Sequence, residues 1–132
     1  MIKLSQLLLE GIEDELIVHS KPDGVWVSYR PPNTIRGSTA SIDNTQQGWW
    51  WISRVLVGDE DARRHGIGSI MLRRAVAEVL KQDPKALIVV EPGGYNMKKA
   101  DQIRFYKKNG FIEYNGEDPQ FNETLIYNNQ KQ

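Results

Sequence analysis

The pattern of apolar and polar residues along the chain predicts a small protein of mixed strands and helices. Residues 49–57 are mostly bulky and apolar, which is typical of a buried strand. Residues 67–81 repeat apolar side chains every three or four positions, which predicts an amphipathic helix. Residues 86–91 form a β-branched run that suits a central strand covered on both faces. Residues 98–109 predict a second helix, which a glycine at 110 would end.

The remaining segments predict shorter elements that flank this core. Residues 31–48 contain two prolines, two glycines and many polar side chains, which predicts a long loop, with a weak strand over 39–44 as the alternative. One or two helical turns are predicted at 5–11, and strands at 16–20, 25–30, 111–115 and 123–128. Two hairpin-like regions around a strand–helix–strand–helix core therefore predict a three-layer domain of the α/β or α+β class.

Composition limits the kind of protein this is. The 132 residues suit one domain spanning 1–132, and 39% hydrophobic with 26% charged residues is ordinary for a globular protein. Seventeen basic residues balance seventeen acidic ones, so no nucleic-acid partner and no anionic membrane is expected. No cysteine is present, which excludes a thiol nucleophile, and no metal site is predicted. The first residues are too polar for a signal peptide, and a cytoplasmic location is expected.

A glycine turn separates the strand at 49–57 from the helix at 67–81. It contains Gly66, Ile67, Gly68 and Ser69. Backbone N–H groups at a helix N-terminus bind phosphate, and glycines without a Cβ let the backbone bend and approach such a ligand closely. No Gly-Lys-Ser or Gly-Lys-Thr follows the turn, which argues against the phosphate loop of nucleotide triphosphatases.

Two motifs in this region resemble those of a known family. Residues 63–68 (Arg-Arg-His-Gly-Ile-Gly) fit the Arg/Gln-x-x-Gly-x-Gly/Ala signature of the GCN5-related N-acetyltransferases, the GNAT superfamily. Residues 105–111 (Phe-Tyr-Lys-Lys-Asn-Gly-Phe) are similar to that family's Phe/Leu-Tyr-x-x-x-Gly-Phe. The resemblance covers residues 49–115 and is closest to the compact variants of bacteria and phages. Asp59 replaces the family's usual proline, and Lys99 and Gln102 replace its Asn-x-x-Ala.

The resemblance implies a fold and a cofactor. The family has a mixed, mostly antiparallel central sheet flanked by helices, with two central strands that splay apart; here these would be residues 51–57 and 87–91. Between them lies the arm of acetyl-CoA, and its pyrophosphate lies on the glycine turn. By this resemblance the cofactor-binding residues are Val55, Leu56, Val57, Arg63, Arg64, His65, Gly66, Ile67, Gly68, Ser69 and Tyr106.

The implied reaction is direct transfer of an acetyl group to a primary amine, either a protein lysine or N-terminus or a small amine. Tyr106 matches the family's acid, although an ordinary packing tyrosine explains it equally well. Glu91, at the end of the central strand, is a candidate base, and its alternative is a carboxylate facing water. Asp59, Glu60 and His65 are weaker candidates.

A second class of function stays open. The missing Asn-x-x-Ala and the uncertain base also suit a non-catalytic GNAT-fold CoA sensor or a protein-interaction module. In either case the protein is expected to be a monomer or a homodimer. The acceptor groove is expected from residues 38–50 and 93–97, which carry no readable specificity. Neighbouring side chains alternate along a strand, so Trp49, Trp50 and Trp51 cannot all face one side.

Overall fold

The computed structural model describes residues 16–29, 37–46, 48–57, 66–93, 98–118 and 123–128. Within these ranges the elements are β1 (Ile17–Lys21), β2 (Gly24–Tyr29), β3 (Ser38–Gln46), β4 (Trp49–Leu56), α1 (Ile67–Gln82), β5 (Leu87–Val90), α2 (Lys99–Lys108), β6 (Phe111–Glu113) and β7 (Leu125–Tyr127). The helical turns predicted at 5–11 lie outside the described residues, as does the loop at 58–65. In the described ranges, no helix has the length and apolar character needed to cross a membrane.

The seven strands form one sheet in the order β1-β2-β3-β4-β5-β7-β6. Every neighbouring pair is antiparallel except β4 and β5, which are parallel. This confirms the predicted mixed and mostly antiparallel sheet. The order also places all strands that precede α1 on one side of the β4–β5 contact and all later strands on the other.

The two central strands splay, as predicted. In the described part of the chain, β4 and β5 pair only where Trp49, Trp50 and Trp51 meet Leu87, Ile88 and Val89. β4 then continues to Leu56, whereas β5 ends at Val90. We call the opening between residues 52–57 of β4 and the end of β5 the β4–β5 split.

A bulge in β4 lies at the start of the split. Ser41 of β3 lies opposite Arg54, and the next residue, Ile42, lies opposite Ile52, so Ser53 is the extra residue. Its hydroxyl donates a hydrogen bond to the Ser41 carbonyl over 3.3 Å. Bulges bend a strand and increase its twist, and this one lies directly after the last residue of β4 that pairs with β5.

α1 covers one face of the antiparallel strands. Its apolar side packs on β2 and β3, with the core residues Val25, Val27, Ala40, Ile42, Met71, Leu72, Ala75, Val76 and Val79. Trp50 is buried, whereas Trp49 and Trp51 are half-buried, which confirms that the three side chains alternate. Glu78 of α1 is only 9% exposed although it is charged, and it pairs with Arg74 (3.0 Å) and Lys81 (3.4 Å) of the same helix.

The long loop predicted over residues 31–48 was wrong for its second half, where the alternative of a strand over 39–44 is confirmed. β3 occupies Ser38–Gln46 and pairs with both β2 and β4. Ala40 and Ile42 are fully buried, while Thr39 and Ser41 alternate with them on the opposite face. Two small or medium apolar residues give a weak local signal, and the strand forms because a partner on each edge satisfies its backbone.

Candidate active site

The N-terminus of α1 follows a glycine and leaves its first backbone N–H groups without helical acceptors. Gly66 precedes the helix in the left-handed conformation (φ 72°, ψ 27°), and its carbonyl accepts the first helical hydrogen bond from the Ile70 N–H over 3.1 Å. Helical geometry offers no acceptor within α1 to the N–H groups of Ile67, Gly68 and Ser69. The first turn also contains no acidic side chain, so no side chain of that turn compensates the positive end of the helix dipole.

The second glycine of the turn serves packing. Gly68 is buried, and a Cβ on it would lie 3.2 Å from Val57 Cγ2 and 3.5 Å from Phe105 Cε1. Gly68 therefore lets the residue after β4, the start of α1 and a ring of α2 meet at one point. At Gly66, by contrast, a Cβ would meet no atom within 4 Å, and the backbone conformation alone demands glycine there.

A buried amide joins the start of α1 to the end of α2. Asn109, 6% exposed, donates hydrogen bonds from Nδ2 to Ser69 Oγ (3.1 Å) and to the Phe105 carbonyl (2.9 Å). Its Oδ1 accepts from Arg73 Nε over 2.9 Å. Asn109 was missed in the sequence because it occupies a variable position of the second motif. Its polar side chain next to a helix-ending glycine was the only signal that could have found it.

Tyr106 is buried on the inner side of α2. Its ring makes edge contacts with Phe105 and Phe111, at centroid distances of 5.2 and 5.5 Å. Burial raises the pKa of the Tyr106 phenol from 10.0 to about 12, because the charged form loses its hydration. The phenol therefore keeps its proton at any working pH, and chemically it is a neutral hydrogen-bond donor.

The other candidates are distributed around the β4–β5 split. Val55 and Leu56 lie at the end of β4, opposite Ala40 and Thr39 of β3, and Val57 follows them. Glu91 directly follows β5, so it lies across the split, and its side chain is exposed rather than buried as the base role would favour. Arg63, Arg64 and His65 lie outside the described residues.

These features fit the acetyl-CoA that the sequence motifs imply. The pyrophosphate would be held by the N–H groups of Ile67, Gly68 and Ser69, and the arm by the main chain of Val55, Leu56 and Val57 beside the split. No group of three or more acidic, histidine or cysteine side chains able to hold a metal ion occurs among the residues that the structure describes.

Comparisons with known proteins bear on the fold and the family of this chain. The family model described as "Acetyltransferase (GNAT) domain" matches residues 21–113. A search of curated protein sequences finds no significant match. Three solved structures share the fold at identities below 25%. A GNAT-family acetyltransferase from Staphylococcus aureus Mu50 is 19% identical, with a TM-score of 0.63 over 98% of this chain and 81% of its own.

The other two structures are equally distant in sequence. A Klebsiella pneumoniae protein described as an acyl-CoA N-acyltransferase is 16% identical, with a TM-score of 0.61 over 95% of this chain and 90% of its own. A Bacillus anthracis protein described as a streptothricin acetyltransferase was solved with acetyl coenzyme A bound. It is 17% identical, with a TM-score of 0.55 over 80% of this chain and 60% of its own.

Proposed function

We propose that this chain, which belongs to the GNAT family of acetyltransferases, transfers an acetyl group from acetyl-CoA to a primary amine. The observation that carries the proposal is the β4–β5 split next to an uncapped helix N-terminus. An opening between central strands admits an extended arm, and the helix start neutralises the charge of the pyrophosphate at its end.

The proposed reaction needs no covalent enzyme intermediate. Acetyl-CoA supplies an acetyl group activated as a thioester. The amine nitrogen bonds to the carbonyl carbon, the carbon–sulfur bond breaks with its electron pair on sulfur, the nitrogen loses a proton and the sulfur gains one. The chain contains no cysteine, which is compatible with direct transfer.

Tyr106 is the proposed donor to the leaving sulfur. An ordinary thiol has a pKa of about 8.5, so full proton transfer from a phenol of pKa about 12 is uphill by roughly 5 kcal/mol. A hydrogen bond from the neutral phenol requires no such transfer, and it is strong in a site that excludes water. We therefore assign Tyr106 the stabilisation of negative charge on sulfur, with the final proton coming from solvent or from the nitrogen that has become acylated.

Glu91 is the proposed proton acceptor. It lies at the end of β5, across the split from β4, with its side chain in solvent. A carboxylate in this position can take the proton of the acceptor ammonium through a water molecule. Its exposure predicts a modest contribution, since a solvated carboxylate is a weak base and water competes with it.

The acceptor is proposed only as a primary amine. One of the distant structures carries streptothricin in its description, and its 17% identity extends the fold and not the substrate to this chain. A panel that spans lysine peptides, free peptide N-termini, polyamines and aminoglycosides covers the classes of amine that the reaction permits.

The test begins with binding. Acetyl-CoA is titrated calorimetrically into the wild-type protein and into Ser69→Asp. An aspartate in the first turn favours the helix dipole, so the variant should melt no lower than wild type, while its charge should weaken acetyl-CoA binding at least tenfold. Absence of wild-type binding at millimolar acetyl-CoA would refute the proposal.

Turnover is then measured as thiol release with each amine. Because the chain has no cysteine, a thiol reagent reports only the CoA released. We expect Tyr106→Phe to lower kcat by about 100-fold with little change in acetyl-CoA affinity, and Glu91→Gln to lower it less. Binding without release from any amine would instead favour the non-catalytic CoA-sensing or protein-interaction function.

A further inference from the structure

We propose that Asn109 is a positioning residue for cofactor binding, which orients the Ser69 hydroxyl towards the pyrophosphate and couples it to α2. This inference rests on the proposed function. Asn109 is 6% exposed, lies at the end of α2 and contacts two residues of α1, 36 and 40 positions earlier in the chain. Such a link between the phosphate-binding helix and the helix that carries Tyr106 is absent from both sequence motifs.

The hydrogen bonds determine the orientation of the amide without ambiguity. Oδ1 faces the Arg73 Nε–H, which can only donate, and Nδ2 faces the Phe105 carbonyl, which can only accept. The flipped amide would place donor against donor at Arg73 and acceptor against acceptor at Phe105. Both N–H groups of Nδ2 are therefore used, one on Phe105 and one on Ser69.

The amide in turn orients the serine. Ser69 Oγ accepts from Asn109 Nδ2 over 3.1 Å, so its own proton must point elsewhere. Ser69 is the third residue of α1, in the same turn as the N–H groups that have no helical acceptor. A hydroxyl that donates beside these N–H groups adds a further hydrogen bond to an anion bound there, and Asn109 favours that orientation by occupying one of the two lone pairs of the Ser69 hydroxyl.

The other hydrogen bond holds the backbone of α2. The backbone N–H of Asn109 donates to the Tyr106 carbonyl over 3.0 Å. The Phe105 carbonyl therefore lacks the backbone donor that it would have in a continuing α-helix. The side-chain Nδ2 of Asn109 donates to the Phe105 carbonyl instead, over 2.9 Å. The peptide unit between Phe105 and Tyr106 is therefore attached to Ser69 through a single side chain.

A purely structural cap would use the same contacts, so the test must separate the two roles. The acetyl-CoA dissociation constant is measured calorimetrically for wild type, Ser69→Ala, Asn109→Ala and the double variant, and melting temperatures are recorded without ligand. Hydrogen bonds to charged groups contribute about 1.5–3 kcal/mol, so each single variant should bind acetyl-CoA at least tenfold more weakly. If Asn109 acts through Ser69, Asn109→Ala has no further effect in the Ser69→Ala background.

Three results would overturn the inference. They are unchanged binding by Asn109→Ala, equal weakening by Asn109→Ala in both backgrounds, and unchanged binding by Ser69→Ala. If Asn109→Ala does not fold, Asn109→Asp takes its place, because it keeps the acceptor for Arg73 and removes both donors. Ser20→Ala, which removes a serine hydroxyl that accepts from Gln82 at the other end of α1, serves as the matched control and should bind like wild type. Failure of the wild-type protein to bind acetyl-CoA would refute the proposed function itself, which is a separate outcome.

Discussion

The raised pKa of Tyr106 predicts a specific loss of stability at alkaline pH. In the unfolded chain the phenol ionises near its ordinary pKa of 10.0, and in the folded chain near 12, because burial disfavours the phenolate. Between these values the unfolded state releases a proton that the folded state retains. The folded-state pKa is the higher one, so the stabilisation is complete below pH 10 and is lost as the pH rises towards 12.

The size of this loss follows from the shift. About 2 pKa units at 1.36 kcal/mol each correspond to roughly 3 kcal/mol of unfolding free energy. Most small domains have only 5–15 kcal/mol in total, so the effect is large enough to measure. Tyr106→Phe removes the ionisable group and the ring packs in the same place. We therefore expect the variant to lose less stability than wild type over this interval, by an amount approaching 3 kcal/mol.

Two measurements check the prediction. Urea unfolding of wild type and Tyr106→Phe at a series of pH values from 8 to 12 gives the difference in free energy directly. Absorbance at 295 nm follows tyrosinate formation, and subtracting the variant isolates Tyr106 from the other four of the five tyrosines. The same difference measured in concentrated urea gives the pKa of Tyr106 in the unfolded chain. A folded-state difference curve with its midpoint near pH 10, or parallel stability profiles, would refute the assignment of burial as the cause.

Two further substitutions test the backbone around the site. Gly66→Ala should lower the free energy of unfolding by about 1 kcal/mol, because alanine disfavours a φ of 72°. For 132 residues this corresponds to a fall in melting temperature of about 4 °C. Gly66→Asn should lose less stability, and an equal loss would exclude a conformational cause. Gln102 Oε1 accepts from the Gly93 N–H over 2.9 Å. Gln102→Ala should therefore accelerate hydrogen exchange of the Gly93 amide, whereas Gln102→Glu, which keeps an acceptor oxygen, should preserve its protection. Unchanged exchange in the alanine variant would contradict the contact.

The elements that depend on local pattern could be predicted from the sequence. α1 repeats apolar residues every three or four positions over sixteen residues, and the helix lies where this pattern places it. β4 and β5 are apolar runs bounded by glycine or proline, and they too were confirmed. The split between them followed from family resemblance, since no local property of either strand shows where their pairing stops.

Features that depend on distant contacts could not be predicted. β3 has a loop-like composition, and it becomes a strand because β2 and β4 pair with its two edges. Asn109 occupies a variable position of the second motif, and only its contacts with Ser69 and Arg73 of α1 distinguish it. In each case the decisive partner comes from another element or from the packed surface.

The short pairing of β4 with β5 has a consequence for how the molecule holds together. Among the described strands, those that precede α1 lie on one side of the β4–β5 pairing and those that follow it lie on the other, and three residue pairs join β4 to β5. This short pairing is a seam in the sheet, and the shared hydrophobic core supplies the other contacts between the two parts. A ligand bound in the β4–β5 split would contact strands on both sides of this seam. It would therefore hold the two parts of the sheet together, as an additional strand between them would. At a hundred times its dissociation constant such a ligand adds about 2.7 kcal/mol to the stability of the whole domain.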